Sequence, residues 1–247
     1  MRVKERIIKA AETSDGKEVG IKRLFPSADL RSFDPFVLFD EFFIVPPAGF
    51  PEHPHRGFEA VTYMLEGALR HTDSDGHVSV IDTGGVQRIT TGKGIEHSEM
   101  PDMEGMNHGI QLWINLPERL KKIKPEYQQV DPCGGHGIPQ KEDENTITRA
   151  VVGPGSPLRV HEPVLFLDVI LKARRIYPVQ MDETYRGFLY MLSGTVKIED
   201  ESVHPGEAFL FETVKNAEAV SSEHARFLLI AGKPLEEPIH LHGSFVD

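Results

Sequence analysis

The chain has 247 residues, with 38 Asp or Glu against 27 Lys or Arg, so its formal net charge is −11. This acidic balance argues against direct binding to nucleic acid or to an anionic membrane, because phosphate groups select for basic patches. The single cysteine, Cys133, excludes an intramolecular disulfide and any metal site built from several thiolates.

Short apolar or alternating runs, broken by Gly, Pro and Asp, recur along the chain, whereas helical periodicity is rare. In the first half these runs occupy residues 19–25, 60–65, 78–82, 86–90 and 109–116. In the last of them, every even position from Ile110 to Leu116 is apolar, which predicts one apolar strand face. The pattern as a whole predicts an all-β protein.

Residues 117–149 interrupt this pattern with prolines, glycines and an acidic run, which predicts a long connector. Within it, the basic run at residues 119–124 predicts a solvated amphipathic turn. Strand-like runs then resume at residues 147–152, 164–171, 187–192, 195–199, 208–211 and 227–231. We therefore expect two β domains, one at residues 1–130 and the other at residues 131–247.

Two short motifs carry side chains that bind metals: His53-Pro54-His55 and His97-Ser98-Glu99. Alternate residues of a strand point to the same face, so each motif presents both of its candidate ligands together. Two facing strands would then supply three imidazoles and one carboxylate, which predicts one mononuclear metal site inside a β-barrel. Such ligands suit Fe(II), Mn(II), Ni(II), Cu(II), Co(II) or Zn(II). Another His-x-His pair, at residues 240–242, lacks flanking strand and turn signals and predicts a surface tail.

The two halves share a pair of motifs, which favours a duplicated barrel. RGF at residues 56–58 is followed by YMLEG at 63–67, and RGF at 186–188 is followed, three residues sooner, by YMLSG at 190–194. Because the gaps differ, two alignments stay open, and the second-half positions opposite His53 and His55 are either Gln180 and Asp182 or Glu183 and Tyr185. On both alignments only the first half carries the histidine pair.

The stretches HPHRGFE at residues 53–59 and GKGIEHSEMP at 92–101 resemble the pirin family, as do DPF at 34–36, LFDEF at 38–42, GIQLWINLP at 109–117 and YQ at 127–128. The resemblance implies a bicupin fold, with two antiparallel β-barrels of jelly-roll type, and one metal, usually iron, in the N-terminal barrel. Several members of this family show quercetin 2,3-dioxygenase activity, and some animal members act as nuclear transcriptional co-regulators. By motif position, the family's metal ligands fall on His53, His55, His97 and Glu99.

The carboxylate ligand has two candidates when the residues alone are considered. Glu59 shares the odd parity of His53 and His55, and it lies about where cupins in general supply a carboxylate. The resemblance instead assigns the ligand to Glu99, two residues after His97. Glu59 is then expected to have a supporting role beside the ligands.

Two regions depart from the family pattern or lie outside its motifs. Residues 71–77 fall outside the resembling motifs, so His71 and His77 are expected in a loop rather than at the metal. Pirins usually continue past the segment that resembles residues 242–246 into a C-terminal tail, whereas this chain stops at Asp247. Either the tail is absent or the chain is truncated.

The ligands and the resemblance together predict a metal-dependent dioxygenase that cleaves a flavonol such as quercetin with O2, and the resemblance favours Fe(II). Glu99 would also act as a general base that accepts the proton of the substrate hydroxyl. The apolar side chains that could hold a small, flat aromatic substrate are Val61, Tyr63, Leu65, Phe39, Phe42 and Met100, although for each one singly a place in the barrel core is the favoured interpretation.

A different class of function stays open: a non-catalytic metal-binding, redox-responsive regulatory protein that docks a protein partner and shows no turnover. Another metal-assisted reaction, such as an isomerisation, is a third alternative, because fold does not determine function. No apolar run approaches the roughly 20 residues of a membrane span, and the charged N-terminus does not resemble a signal peptide. We expect a soluble cytoplasmic protein, and a monomer, since two barrels in one chain can cover their own strand edges.

Overall fold

The computed structural model describes residues 7–132, 137–172, 174–212 and 217–247, so Cys133 lies outside the described residues. The first strands are β1 (Ile7–Lys9), β2 (Ala11–Asp15), β3 (Val19–Phe25), β4 (Phe36–Ile44), β5 (Phe50–His55) and β6 (Phe58–Glu66). They are followed by β7 (Ala68–Asp73), β8 (Val78–Asp82), β9 (Val86–Thr90), β10 (Ile95–Pro101), β11 (Asn107–Asn115), a 3₁₀ turn (Glu118–Leu120) and β12 (Glu126–Val130).

The remaining strands complete an almost entirely β structure. They are β13 (Gln140–Glu142), β14 (Thr146–Val152), β15 (Val164–Leu171), β16 (Arg175–Val179), β17 (Arg186–Ser193), β18 (Val196–Ile198), β19 (Glu201–Val203), β20 (Glu207–Phe211), β21 (Ala217–Ser221), β22 (Ala225–Gly232), β23 (Leu241–His242) and β24 (Phe245–Val246). Among the described residues, no helix is long and apolar enough to cross a membrane.

The chain folds into two compact units that interleave along the sequence. The N-terminal unit comprises residues 11–138, 157–161 and 235–247, and the C-terminal unit comprises residues 7–10, 139–156 and 162–234. The predicted domains, 1–130 and 131–247, differ from these units because backbone pairing assigns the chain ends to the opposite unit. Ile7–Lys9 pairs with β20, while the amide of Val246 donates to the carbonyl of Arg56 at 2.9 Å.

The N-terminal unit combines a seven-stranded antiparallel sheet, in the order β12-β9-β6-β11-β4-β3-β2, with a four-stranded sheet, β5-β10-β7-β8. The C-terminal unit repeats this plan with a seven-stranded sheet, β1-β20-β17-β22-β15-β14-β13, and a four-stranded sheet, β16-β21-β18-β19. The matching strand orders support the predicted duplication. The all-β, double jelly-roll prediction is confirmed, although each unit is a sandwich of two sheets rather than a closed barrel.

The predicted connector contains regular structure and is therefore only partly a connector. β12 pairs with β9 from Glu126↔Thr90 to Val130↔Val86, and β13 pairs with β14. Prolines precede or follow these strands and do not interrupt their ladders, which is where proline is tolerated in a sheet. The high Pro and Gly content thus marks the strand ends and not a structureless segment.

Both faces of the central strand β6 are buried, because each of its residues from Phe58 to Met64 is buried. One apolar cluster of the N-terminal unit packs against this strand through Met64, together with residues such as Phe42 and Leu69. A second cluster contains Phe58 and Ala60 from the same strand, with Leu38, Trp113 and Val246. Burial on both faces removes the polar–apolar alternation that would otherwise reveal which face of β6 is directed at a site.

Candidate metal centre

The four predicted ligands lie on two neighbouring antiparallel strands, β5 and β10. His97 is directly opposite His53, and Ile95 is opposite His55. The register shifts between His97 and Glu99, so that Glu99 is opposite Phe50. Such a bulge changes the direction of the side chains around it and is common beside functional sites.

Three imidazoles come together at this pair of strands. The ring centroids are 4.5 Å apart for His53 and His55, 4.6 Å for His53 and His97, and 4.8 Å for His55 and His97. One ligand nitrogen from each ring lies within 4.8 Å of those of the other two. Both ring nitrogens of His97 are buried and have no hydrogen-bond partner among the described residues. Because unpaired buried polar atoms are costly, a cation coordinated by these rings fits the arrangement.

Backbone carbonyls orient two of the rings toward the cluster. Nδ1 of His53 lies 2.7 Å from the carbonyl oxygen of Pro51, and Nδ1 of His55 lies 3.2 Å from that of Ser244. A carbonyl only accepts, so each Nδ1 carries a proton and Nε2 is the nitrogen of each ring that is left to face the cluster. The two Nε2 atoms are 2.9 Å apart, which suits two nitrogens that share one cation.

The protonation of the buried rings favours metal binding. Burial, followed by the influence of His53, lowers the pKa of His55 to about 3. Burial, followed by the charges of His55 and His53, holds the pKa of His97 well below its usual value. Both rings are therefore neutral at physiological pH, which is the form that binds metals.

Glu99 is buried beside this cluster and is held by three polar side chains. Its Oε1 accepts hydrogen bonds from Thr62 Oγ1, at 3.0 Å, and from Gln87 Nε2, and its Oε2 accepts one from Gln111 Nε2 at 3.0 Å. A carboxylate oxygen of Glu99 lies within 4.8 Å of ring nitrogens of His97 and His71, but the three-histidine group does not include Glu99 at that distance.

Glu59, the alternative carboxylate, has a different set of partners. Its Oε1 accepts from Thr90 Oγ1 at 2.7 Å and from His161 Nδ1 at 2.8 Å, while its Oε2 accepts the backbone N–H of His161 at 2.8 Å. Nη1 of the buried Arg88 lies 3.7 Å from the same carboxylate. Two groups of side chains among the described residues could hold a metal: His53, His55 and His97, and His71, His97 and Glu99. Glu59 belongs to neither group. These contacts indicate that the Glu59 carboxylate supports the fold and does not bind a metal.

His71 was expected in a loop, and this expectation is wrong. His71 lies on β7, is fully buried, and has a ring nitrogen close to His97 and Glu99. Its Nε2 is 3.2 Å from Asp73 Oδ2, and its ring stacks on Tyr127 at 4.8 Å. The spacing His71-x-Asp73 on one strand could have indicated a shared face. His77 lies outside the strands, as expected.

The C-terminal segment also differs from the expected surface tail. His240 and His242 are exposed, but Leu241–His242 pairs with Phe245–Val246, and this hairpin supplies the Ser244 carbonyl that orients His55. The sequence carries no local signal for this contact, because 189 residues separate Ser244 from His55.

The basic run after β11 includes a buried lysine rather than only solvated side chains. Lys121 is 9% exposed, and its Nζ donates to the carbonyls of Gly57 and Val246 and to Asn115 Oδ1 at 2.8–3.1 Å. Lys121 thereby fastens the C-terminal hairpin to the turn that follows His55.

A cavity of about 590 Å³ opens onto the site. Its lining includes His53, His55 and Glu99, and its apolar wall is formed by Ile21, Leu38, Phe42, Phe50 and Trp113. The charged side chains that line it are Asp15, Lys17, Arg23, Asp40 and Glu52, of which Arg23 and Asp40 form a bidentate ion pair. The cavity thus combines an aromatic wall with a polar rim, as small-molecule sites commonly do.

Most of the six candidate substrate-contacting residues do not line the cavity, which agrees with the favoured interpretation of each one as core. Of the six, Phe42 lines the cavity, whereas the cavity wall does not include the other five. Thr62 on β6 contacts Glu99, so the even positions of this strand face the ligands. Odd positions such as Val61 and Tyr63 therefore face the opposite side of the sheet, because side chains alternate along a strand.

The C-terminal unit has no equivalent of the imidazole cluster among its described residues. β5 ends at His55, opposite Ile95, and β16 ends at Val179, opposite Ala217. Matching these terminal pairs places Tyr177, Val179, Ala219 and Ser221 at the positions of the four predicted ligands. Val179 and Ala219 belong to the apolar core of that unit. Both sequence alignments of the two halves therefore placed the equivalent residues too late in the chain.

The chain forms two jelly-roll units, and the first carries an imidazole cluster beside a cavity. Two such units in one chain define a bicupin protein. The sequence matches the Pirin family over residues 18–114 and the Pirin C-terminal cupin domain over residues 166–247. A Pirin-like protein from Solanum lycopersicum is 38% identical over 253 residues, which cover 99% of this chain and 85% of the relative. The chain belongs to the pirin family.

Solved structures give the same fold. Quercetin 2,3-dioxygenase from Acinetobacter baumannii superimposes with a TM-score of 0.87 and 26% identity, and the match covers 97% of this chain and 82% of that one. The bacterial pirin YhhW from Escherichia coli, solved in complex with nickel(II), has a TM-score of 0.76 and 22% identity, covering 92% and 98% of the two chains. At that identity the second likeness concerns the fold alone.

Proposed function

We propose that this protein is a metal-dependent dioxygenase of the pirin type that cleaves a flavonol such as quercetin with O2. The observation that carries the proposal is the cluster of the half-buried His53 with the buried His55 and His97, both nitrogens of His97 being unpartnered among the described residues, beside a cavity with aromatic walls. The likeness to the Acinetobacter baumannii quercetin 2,3-dioxygenase supports the same reaction class.

The proposed metal ligands are His53, His55, His97 and Glu99, all in the N-terminal unit, and the C-terminal unit is proposed to bind no metal. Fe(II) is the proposed metal, and Mn, Ni, Cu, Co or Zn suits the same ligands. A bound divalent metal would acidify a coordinated hydroxyl and bring the substrate and O2 together.

The side chains around the cavity have separate tasks in this reaction. Glu99 Oε2 has fewer protein donors than Oε1, and it would accept the proton of the substrate hydroxyl when the carboxylate shifts away from the metal. The rings of Phe42, Phe50 and Trp113 would hold a flat aromatic substrate and exclude water from it.

The proposed partners are a small aromatic substrate and O2, with no direct contact to nucleic acid or membrane. The acidic charge balance supports the exclusion of polyanions. We further propose a cytoplasmic monomer. Sedimentation of the purified protein tests the monomer directly.

The test is the loss of the quercetin absorption band under air, by protein reconstituted anaerobically with Fe(II). Wild type should consume quercetin and release carbon monoxide, and His97→Ala should do neither. His240→Ala, which removes an exposed histidine that belongs to neither group of candidate metal ligands, is the matched control and should retain activity. Iron binding by the wild type without turnover would refute the flavonol assignment and leave the non-catalytic regulatory protein as the better account.

A further inference from the structure

The amide of Gln87 has only one orientation that its neighbours allow. Gln87 lies on β9, is fully buried, and donates through Nε2 to Glu99 Oε1. If the amide were reversed, its carbonyl oxygen would face the carboxylate, and two acceptors would be in contact. Glu99 therefore directs the Gln87 nitrogen toward itself and the Gln87 oxygen away.

The other end of this amide meets Tyr127 on β12. The single proton of the Tyr127 hydroxyl is shared between two amide oxygens, Gln87 Oε1 at 3.2 Å and Gln129 Oε1 at 3.0 Å. Gln129 is itself fixed, because its Nε2 donates to the Val80 carbonyl and to Asp131 Oδ1. Burial raises the pKa of Tyr127 to about 12, so the hydroxyl keeps the proton that it donates.

A clamp of two histidines and one aspartate holds the Tyr127 ring. His71 stacks with it at 4.8 Å between ring centroids and 16° between the ring planes, and His77 stacks with it at 5.2 Å and 24°. Asp73 contacts both histidines, at 3.2 Å from His71 Nε2 and 2.8 Å from His77 Nδ1. Ser79 binds the hydroxyl of the same tyrosine.

We propose that Gln87 and Tyr127 are positioning residues that hold the Glu99 carboxylate for metal binding, with the His71–Asp73–His77 clamp keeping Tyr127 in place. This inference rests on the metal site proposed above. Each carboxylate oxygen offers about two lone-pair positions. Gln87 Nε2 donates to Oε1, and Thr62 Oγ1 shares its single proton between Oε1 and Gln111 Oε1, whereas the only protein donor to Oε2 among the described residues is Gln111 Nε2. Oε2 is therefore the oxygen through which Glu99 would bind a metal.

Cobalt(II) binding to the apoprotein tests this inference without relying on activity. Its affinity is measured by competition with a chelator, and its visible absorption bands report the coordination number and the ligand geometry. We compare wild type with Gln87→Leu, Tyr127→Phe and Gln128→Leu. Gln128 is the matched control, since it lies next to Tyr127 on β12 but hydrogen-bonds to the carbonyl of Pro157 and the amide of Arg159.

Gln87→Leu should weaken cobalt binding by about 10- to 100-fold, the usual effect of losing a residue that supports a ligand. It should also change the visible bands, because Glu99 is free to move. Tyr127→Phe keeps the ring that stacks with the two histidines and loses only the hydroxyl, so its effect should be smaller and in the same direction. Gln128→Leu should match wild type in both measurements.

Wild-type affinity and wild-type bands in both Gln87→Leu and Tyr127→Phe would overturn the inference while leaving the metal site intact. Equal losses in Gln128→Leu would overturn it too, since the effect would then follow from disturbing β12. A wild type that binds no cobalt at the site, judged against His97→Ala, would refute the proposed function and this inference together. Because Tyr127→Phe preserves the stacked ring, it keeps the test decisive even if Gln87→Leu does not fold.

Discussion

Replacing each of the two buried glutamates with glutamine should separate stability from metal binding. In Glu59→Gln, one carboxylate oxygen becomes an NH2 group that faces a donor, either the His161 backbone N–H or the side chains of Thr90 and His161. A lost hydrogen bond to a charged group contributes about 1.5–3 kcal/mol, and an unpaired buried donor costs about 1–3 kcal/mol. The backbone N–H of His161 cannot reorient to avoid an NH2 group placed opposite it. We therefore expect the free energy of unfolding to fall by about 2–4 kcal/mol.

In Glu99→Gln the neighbours can adapt, because two of the three donors are the side-chain amides of Gln87 and Gln111, which can reverse. We expect a smaller loss of stability than in Glu59→Gln. Metal affinity should instead fall by at least the 10- to 100-fold that is typical of losing a supporting residue. Glu59→Gln should bind metal as the wild type does.

The assay is thermal unfolding of the two apoproteins by calorimetry, together with nickel(II) titration against a competing chelator. At about 2–4 °C per kcal/mol for a unit of this size, Glu59→Gln should lower the Tm by about 5–15 °C. Weakened metal binding in Glu59→Gln with full affinity in Glu99→Gln would refute the assignment of the carboxylate ligand.

The effect of Glu59→Gln should also depend on pH. The hydrogen bond to Glu59 raises the pKa of His161 above its ordinary value of 6.5. A group whose pKa is raised on folding stabilises the native state fully below its unfolded pKa, and this contribution is lost as the pH rises through the folded pKa. The stability difference between wild type and Glu59→Gln should therefore be larger at about pH 6 than at about pH 8.5.

Three further predictions concern the N-terminal unit. Lys121→Met removes the three hydrogen bonds to Gly57, Asn115 and Val246 and should cost about 2–4 kcal/mol in urea unfolding. Because burial lowers the pKa of Lys121, that difference should grow as the pH rises from neutral toward 10.5, and a flat profile would contradict the cause. Gly57→Ala should destabilise by about 1–3 kcal/mol or more in the same assay, since φ is +88° and an added Cβ would lie 1.8 Å from the Val246 carbonyl oxygen. Nickel(II) at about 100 times its Kd should raise the Tm of wild type by about 5–10 °C and leave that of His97→Ala unchanged, as measured by calorimetry with EDTA as the reverse control.

The candidate ligands could be predicted from the sequence because each pair is local. His53 and His55, like His97 and Glu99, are separated by one residue, and the period of two along a strand is a property of the backbone itself. The strands that carry them, β5 and β10, were not among the apolar or alternating runs of the sequence, because β5 contains two prolines and β10 is rich in polar residues, so only the spacing of the ligands indicated them.

The sequence did not predict which side chains of the central strand point toward the site. Both faces of β6 are buried, so its sequence shows no polar face, and parity alone allowed Val61 and Tyr63 to be assigned to the cavity. The structure directs Thr62 at Glu99 instead. A shift of one residue reverses every side chain of a strand, and only the pairing with neighbouring strands determines which parity is correct.

The sequence by itself determined the all-β class, the duplicated plan and the three histidines proposed as metal ligands, since these follow from local alternation and short motifs, whereas the choice of Glu99 over Glu59 came from the family resemblance. Tertiary structure decided what surrounds those residues. Gln87, Tyr127 and His71 come from three separate strands, and the Ser244 carbonyl that orients His55 is supplied by the end of the chain. Contacts between residues so far apart in sequence arise from strand pairing and burial, which leave no periodic signal in the chain.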